Sequence, residues 1–234
     1  MIEAREFTGF KPETLRFFRD LAANNDKLWF ESHRSEYEEH ILTPARSLVL
    51  VLGRRLRKTA ARVQADPRVN QSLFRLNRDT RFSRDKTPYK THLALWFWEG
   101  PGPRMECSGY YFHLEPQRLM LGAGVYRFPD RMIEEYRRSV VHPKHGPALA
   151  KALDRVTGGG LFTIGGRHFK KTPRDFDPSH KNADLLLYNG LYAGTETPVP
   201  EELFSDLLVD YCLDRFEKMR PLHQWLLALT QRAA

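Results

Sequence analysis

The spacing of the hydrophobic residues changes along this chain, and this change limits the fold more than any other feature. In the first third, apolar residues recur at the three- to four-residue spacing of amphipathic helices, beginning after Pro12 and again after Pro44. From Leu73 onward they alternate with polar residues or form short apolar runs, which is typical of β-strands. Helical spacing returns after Pro129. The pattern predicts an α+β fold, with N-terminal helices packed on a largely antiparallel sheet and further helices in the C-terminal half.

The same spacing, read with the positions of proline and glycine, predicts individual elements. The predicted strands cover residues 73–79, 91–98, 109–114 and 119–125. Later helices are predicted over residues 129–140, 147–156, 200–216 and 221–229, separated by an irregular region with short strands over residues 161–200. Short connections between consecutive strands favour antiparallel pairing.

The composition indicates one domain in the cytoplasm. With 41% hydrophobic residues in 234, and no repeat or linker, the chain is expected to form a single domain over residues 1–234 with a sizeable core. Residues 1–6 contain no apolar run, and the longest apolar runs are too short to span a bilayer. The two cysteines, Cys107 and Cys212, lack metal-ligand spacing, so they are interpreted as core residues.

Positive charge is concentrated in residues 75–90. The chain has a formal net charge of +8, and this segment contributes six basic and two acidic side chains. Arginine binds carboxylate or phosphate through paired hydrogen bonds, so converging arginines would form an anion site. The candidate ligand-binding residues are Arg75, Arg78, Asp79, Arg81, Ser83, Asp85, Lys86, Tyr89 and Lys90, with Lys170 and Lys171 contributing from a second basic cluster.

Three functions of this segment stay open at the level of sequence. It could bind a small anionic or phosphorylated ligand, bind nucleic acid, or form an internal ion-pair network without chemistry. No catalytic residue can be assigned. In an enzyme, acid–base chemistry would involve Asp79, Asp85, Tyr89 or His92.

Other motifs carry less information about chemistry. Gly122-Ala123-Gly124 has Arg127 where a dinucleotide fingerprint has its third glycine, and no P-loop sequence occurs, so the glycines are expected to permit close packing. His92 and His113 fall on predicted neighbouring strands without a carboxylate at ligand spacing, so no metal or other cofactor is predicted. An aromatic band is expected to be core or pocket wall: Trp96, Trp98, Tyr110, Tyr111 and Phe112.

The central segment also resembles a known family. The pattern R-x-x-R-D-x-R-F-S-x-D-K-x-P-Y-K, from Arg75 to Lys90, resembles the signature of the uncharacterised domain-of-unknown-function family twenty-four sixty-one. Further similar segments follow in the same order and spacing: Phe7-x-Gly9-Phe10, Asn24-Asn25 to Trp29-Phe30, Gly109-x-Tyr111, Gly122-x-Gly124-x-Tyr126 and Phe169-Lys170-Lys171-x-Pro173. The resemblance implies an intact fold with its site at the central segment, and it names no reaction.

Overall fold

The computed structural model describes residues 6–100 and 102–233 and shows the expected α+β architecture. The expectation about residues 1–6 rests mainly on residues that lie outside these ranges. The α-helices are α1 (Pro12–Ala23), α2 (Lys27–Ser32), α3 (Arg34–Tyr37), α4 (Thr43–Leu56), α5 (Asp130–Val141), α6 (His145–Thr157) and α7 (Leu207–Arg232). A π-helical turn (Glu38–Leu42) precedes α4, and two 3₁₀ turns (Ala183–Leu187 and Glu201–Phe204) follow α6. Among the helices of these ranges, none combines the length and the apolar composition of a membrane-spanning segment.

The strands form one antiparallel sheet in the order β1-β2-β3-β4-β6-β5. They are β1 (Val63–Gln64), β2 (Leu93–Glu99), β3 (Gly109–Leu114), β4 (Arg118–Val125), β5 (Thr163–Arg167) and β6 (Tyr188–Pro198). Between β5 and β6 the register places Thr163 opposite Gly194. The prediction of consecutive antiparallel strands is therefore confirmed for β2, β3 and β4.

Local sequence signals explain the N-terminal helices. Pro12 occupies the first turn of α1, where its missing amide costs no intrahelical hydrogen bond. The Asp26 side chain caps α2 by accepting a hydrogen bond from the Trp29 amide at 2.9 Å. Leu48 and Leu52 of α4 are completely buried, as the apolar stripe predicts.

The central strands form the core. Residues 93–97 of β2 are all buried, which fits an apolar run that is covered on both faces. In the aromatic band, Trp96, Tyr110 and Phe112 are buried, so the expectation of a core or pocket wall is confirmed for these three. Cys107 and Cys212 are buried and form no disulfide within the described ranges, which confirms their interpretation as core residues.

The prediction of a regular strand over residues 73–79 is wrong. Leu73 pairs with Leu95 and Asn77 pairs with Tyr89, each through an isolated bridge. Leu76 is buried while Asn77 is exposed, so the alternation correctly indicated which side chains are buried. Both bridges lead to one antiparallel segment, but four positions from Leu73 to Asn77 face six positions from Leu95 to Tyr89. This register shift interrupts the regular ladder that a strand needs.

Two further predictions are corrected. Residues 161–200, predicted to be irregular with short strands, contain the short strand β5 and also the eleven-residue strand β6. Gly190 permits a close approach within β6, since a Cβ atom there would lie 2.1 Å from the Tyr126 carbonyl oxygen. Residues 207–232 form one helix instead of two, with Pro221 inside it. Buried Phe216 and Trp225 on either side of Pro221 hold both halves in the core, and this packing outweighs the helix-breaking tendency of proline.

Gly124 confirms that this glycine motif permits close packing. It has a φ of +142°, and a Cβ atom there would lie 2.3 Å from the Leu191 carbonyl oxygen. An alanine would therefore meet both backbone strain and a clash with β6.

The chain divides into two compact units. The first contains residues 6–97, 111–121 and 196–214, and the second contains residues 98–100, 102–110, 122–195 and 215–233. The first unit holds the basic segment, while the second holds Lys170 and Lys171. The prediction of a single domain stays a prediction.

Candidate functional site

Residues 75–90 form a short hairpin, named here the basic hairpin. The Arg78 amide donates to the Pro88 carbonyl at 2.8 Å, and the Lys90 amide donates to the Leu76 carbonyl at 2.9 Å. These two bonds close the chain into a loop over residues 79–87 that carries most of the charged side chains. The sequence pattern thus folds as one local unit, and its charges act close to one another.

Arg78 connects the two sides of this loop. Its Nη1 atom donates to Asp85 Oδ2 at 2.5 Å, to the Thr87 carbonyl at 3.2 Å, and to the Thr87 hydroxyl. The amide and hydroxyl of Thr87 both donate to Asp85 Oδ1 at 2.9 Å. Hydrogen bonds from Thr87 and, to a lesser extent, from Arg78 lower the pKa of Asp85 to about 2.

Arg81 forms a second pair, with Asp79. Its Nε and Nη2 atoms donate to the two carboxylate oxygens at 2.9 and 2.7 Å. The side-chain bonds from Arg81 lower the pKa of Asp79 to about 2, and the charge of Arg75 adds a smaller effect. Asp79 and Asp85 are therefore ionised and already bonded at neutral pH, which suits a structural role better than that of a general base.

Four cations of the basic hairpin are not bonded to these two aspartates. Within residues 6–100 and 102–233, the guanidinium groups of Arg75 and Arg84 make no hydrogen bond or ion pair. The Lys86 ammonium donates to a neutral acceptor, the Thr80 carbonyl, at 2.9 Å. The Lys90 ammonium lies 5.5 Å from the centre of the Phe74 ring.

The loop of the basic hairpin also presents an aromatic ring to solvent. Phe82 is 95% exposed, and the Arg81 guanidinium lies 5.8 Å from its ring centre. Ser83, the next residue, is half-buried, and its amide donates to the Thr80 carbonyl at 3.3 Å. Single exposed apolar side chains are common, and Leu28 is 86% exposed in the same unit, so the exposure of Phe82 identifies no site by itself.

Tyr89 anchors the basic hairpin to the N-terminal helices. The Asn25 side chain donates to the Tyr89 carbonyl at 2.9 Å and accepts from its amide at 3.0 Å. The rings of Phe30 and Tyr89 stack with their centres 4.3 Å apart. Burial raises the pKa of Tyr89, so its phenol stays neutral at neutral pH. The structure therefore gives this candidate ligand-binding residue a packing role.

Lys170 and Lys171 are exposed residues of the second unit. They follow Phe169, whose ring lies 4.9 Å from the Arg137 guanidinium carbon. Their contribution to an anion site with the basic hairpin stays a prediction.

A second polar cluster, which we name the histidine cluster, consists of His92, His113 and Glu115 in the first unit. The two imidazole rings stack with their centres 4.1 Å apart. His113 Nε2 lies 2.9 Å from Glu115 Oε1, and one donor atom from each of the three residues lies within 4.8 Å of the others. The sequence argument that no carboxylate accompanies the two histidines is therefore wrong.

The missed signal is the spacing of His113 and Glu115. Residues two apart point to the same face of an extended chain, and Glu115 directly follows β3.

Neighbouring side chains hold the histidine cluster. The Tyr111 hydroxyl is 2.8 Å from His113 Nδ1, and Arg118 Nε donates to Glu115 Oε2 at 2.7 Å. Burial, aided by the charges of His113 and Lys90, lowers the pKa of His92 to about 4.

The second unit contains a buried chain of hydrogen bonds that resembles a catalytic triad in residue type. Ser108 Oγ lies 2.8 Å from His223 Nδ1, and His223 Nε2 lies 3.0 Å from Glu99 Oε2. Ser108 is 0% exposed and His223 is 1% exposed. A nucleophile must reach its substrate, so this chain serves the packing of the core.

Comparison with known proteins supports the resemblance seen in the sequence. The family model of the conserved hypothetical proteins DUF2461 matches residues 13–225, which include the basic hairpin and the histidine cluster. None of the curated proteins matches this chain. Because the match covers nearly the whole chain, the protein belongs to the DUF2461 family of conserved hypothetical proteins.

Proposed function

We propose that this protein binds a small anionic or phosphorylated ligand at the basic hairpin. The observation that carries the proposal is that some cations of the basic hairpin form ion pairs and others do not. Asp79 and Asp85 are bonded to Arg81 and Arg78, whereas Arg75 and Arg84 have no ion pair within the described ranges. Arg75 acts on Asp79 only through its charge, so both guanidinium groups leave positive charge available for an anion.

The bonded residues support the proposal in a second way. Arg78, Asp85 and Thr87 tie the loop across its two sides, and Asn25 holds the backbone at Tyr89. A loop that is ordered before binding loses less conformational entropy when a ligand arrives. The ion-pair network and the anion site are thus compatible, because the bonded residues hold in place the loop that carries Arg84.

Nucleic acid is the second candidate ligand, and the exposure of Phe82 favours it. Single-stranded nucleic acids are bound by aromatic rings that stack on bases and by cations that contact phosphates. Phe82 presents the ring, and Arg84 in the same loop presents a guanidinium group that has no ion pair within the described ranges. We also propose the cytoplasmic location that the sequence predicts, and this location is compatible with either ligand.

A thermal-shift titration tests the proposal with inorganic phosphate, pyrophosphate, mononucleotides and a short single-stranded oligonucleotide. A ligand that binds the folded state raises the melting temperature. We expect at least one small phosphate compound to raise it, and we expect the rise to disappear in Arg75→Gln/Arg84→Gln. A matched variant, Arg19→Gln/Arg54→Gln, removes two exposed arginines of the same unit and should retain the rise.

The outcomes separate the two candidates. A rise that is lost equally in both double variants would contradict a specific anion site, because it would depend on net charge alone. A rise caused only by the oligonucleotide, removed by added salt and reduced by Phe82→Ala, would replace the small-ligand proposal with nucleic-acid binding.

A further inference from the structure

We propose that His92, His113 and Glu115 bind a divalent first-row transition-metal ion. The three side chains bring two imidazoles and one carboxylate together, with one donor atom from each within 4.8 Å of the others. His113 Nε2 and Glu115 Oε1 are 2.9 Å apart. Neighbouring ligands at about 2.1 Å from one metal ion are separated by roughly 3 Å, so this pair already has a suitable spacing.

The surrounding residues orient the donors as metal sites require. In proteins, a histidine ligand usually hydrogen-bonds through its second ring nitrogen, which fixes the nitrogen that faces the metal. Here the Tyr111 hydroxyl lies 2.8 Å from His113 Nδ1, so Nε2 is the ring nitrogen that faces Glu115. Arg118 holds Glu115 through Oε2 and leaves Oε1 directed at His113.

The electrostatics also suit a metal ligand. The two imidazoles can each donate a ring-nitrogen lone pair to a metal ion. Glu115 supplies a negative charge at the same point, and its pKa is lowered chiefly by the hydrogen bond from Arg118. His113 and Glu115 are 11% and 25% exposed, so the cluster is partly shielded from water while an ion can still reach it.

The donor set indicates the class of metal and the chemistry that would follow. Two imidazoles and one carboxylate suit Zn²⁺, Fe²⁺, Mn²⁺ or Co²⁺. Mg²⁺ and Ca²⁺ are poor candidates, because they prefer oxygen ligands. Three protein ligands leave coordination positions for water or a substrate atom. This inference does not depend on the anion site, although Lys90 of the basic hairpin influences the same His92 imidazole.

Co²⁺ titration of tag-free, chelator-treated protein tests the inference. We expect one equivalent of Co²⁺ to produce visible d–d absorption that is removed by competition with Zn²⁺. Glu115→Gln preserves the size of the side chain and removes its charge, and we expect it to weaken Co²⁺ binding by at least about tenfold. His92→Ala should weaken binding to a similar degree.

The pair of exposed His142 and half-buried His145 provides a matched control. Their rings also stack, with centres 4.4 Å apart, and the carboxylate-containing cluster does not include them. His142→Ala/His145→Ala should therefore retain full Co²⁺ binding. Wild-type protein that shows no stoichiometric Co²⁺ absorption, or a folded Glu115→Gln variant with undiminished affinity, would overturn the inference. Circular dichroism of each metal-free variant verifies folding independently of metal binding.

Discussion

At the scale of single residues, the two aspartates of the basic hairpin differ in what holds them ionised. The pKa of Asp79 is lowered first by its bonds from Arg81, whereas the pKa of Asp85 is lowered first by Thr87 and only then by Arg78. Equal values near 2 therefore have different causes. Arg81 bonds the side chain of Asp79, whereas Arg78 bonds both Asp85 and the backbone carbonyl of Thr87.

We expect Arg81→Gln to raise the pKa of Asp79 more than Arg78→Gln raises the pKa of Asp85. The carboxyl carbons of both aspartates can be followed by NMR as the pH is lowered in each variant. A folded-state pKa below the ordinary value of 3.8 means that these bonds stabilise the protein fully above about pH 4. That stabilisation is lost as the pH falls towards 2. Equal upward shifts in the two variants would contradict the assigned causes.

At the scale of elements, the basic hairpin is tied to the N-terminal helices through one side chain. Asn25 lies between α1 and α2 and bonds both backbone groups of Tyr89, while Phe30 of α2 stacks on the Tyr89 ring. These contacts join two segments that are far apart in sequence and that both lie within the part of the chain matched by the family model. One segment carries the charges, and the other holds the backbone that presents them.

Asn25→Ala should destabilise the protein by about 1–3 kcal/mol, because it leaves a part-buried amide and carbonyl of Tyr89 without their partner. Urea unfolding measures the loss, and hydrogen exchange at Tyr89 should accelerate. Asn24→Ala is the matched control, since the exposed Asn24 side chain bonds only a carbonyl of its own helix. Similar destabilisation by both substitutions would contradict the anchoring role of Asn25.

At the scale of the whole molecule, polar side chains are used in two different ways. In the second unit, Ser108, His223 and Glu99 are buried and bonded to one another. In the first unit, the basic hairpin and the histidine cluster keep charged and polar groups within reach of solvent. Solvent access is therefore what distinguishes the candidate sites from a core network of similar chemistry.

His223→Ala should lower the free energy of unfolding by about 3 kcal/mol or more, because Glu99 and Ser108 would lose a buried partner. The urea midpoint measures this loss, and Gln224→Ala, at an exposed position of the same helix, should leave it almost unchanged. A serine-reactive fluorophosphonate should not label Ser108 in the folded protein. Labelling that disappears in His223→Ala would instead indicate an accessible nucleophile.

The sequence alone determined the class of fold and the place where charge is concentrated. Hydrophobic spacing is a local property, so it located α1, α4 and strands β2 to β4 with small errors at their ends. The density of arginine in residues 75–90 was likewise visible without a structure. Pro221 and Gly190 misled the same approach, because tertiary packing outweighed their local tendencies.

Only the tertiary structure decided which side chains meet. It paired Arg78 with Asp85 and Arg81 with Asp79, and it brought Asn25 to Tyr89. It also placed the carboxylate of Glu115 beside two histidines, where the sequence argument had found none. The contacts of Asn25 with Tyr89 and of His92 with His113 depend on strand register and on the closure of loops between distant segments. Asp79 and Arg81 are two residues apart and meet through the local conformation of the loop. Hydrophobic periodicity records which side of an element is buried, and it carries no information about the partner on that side.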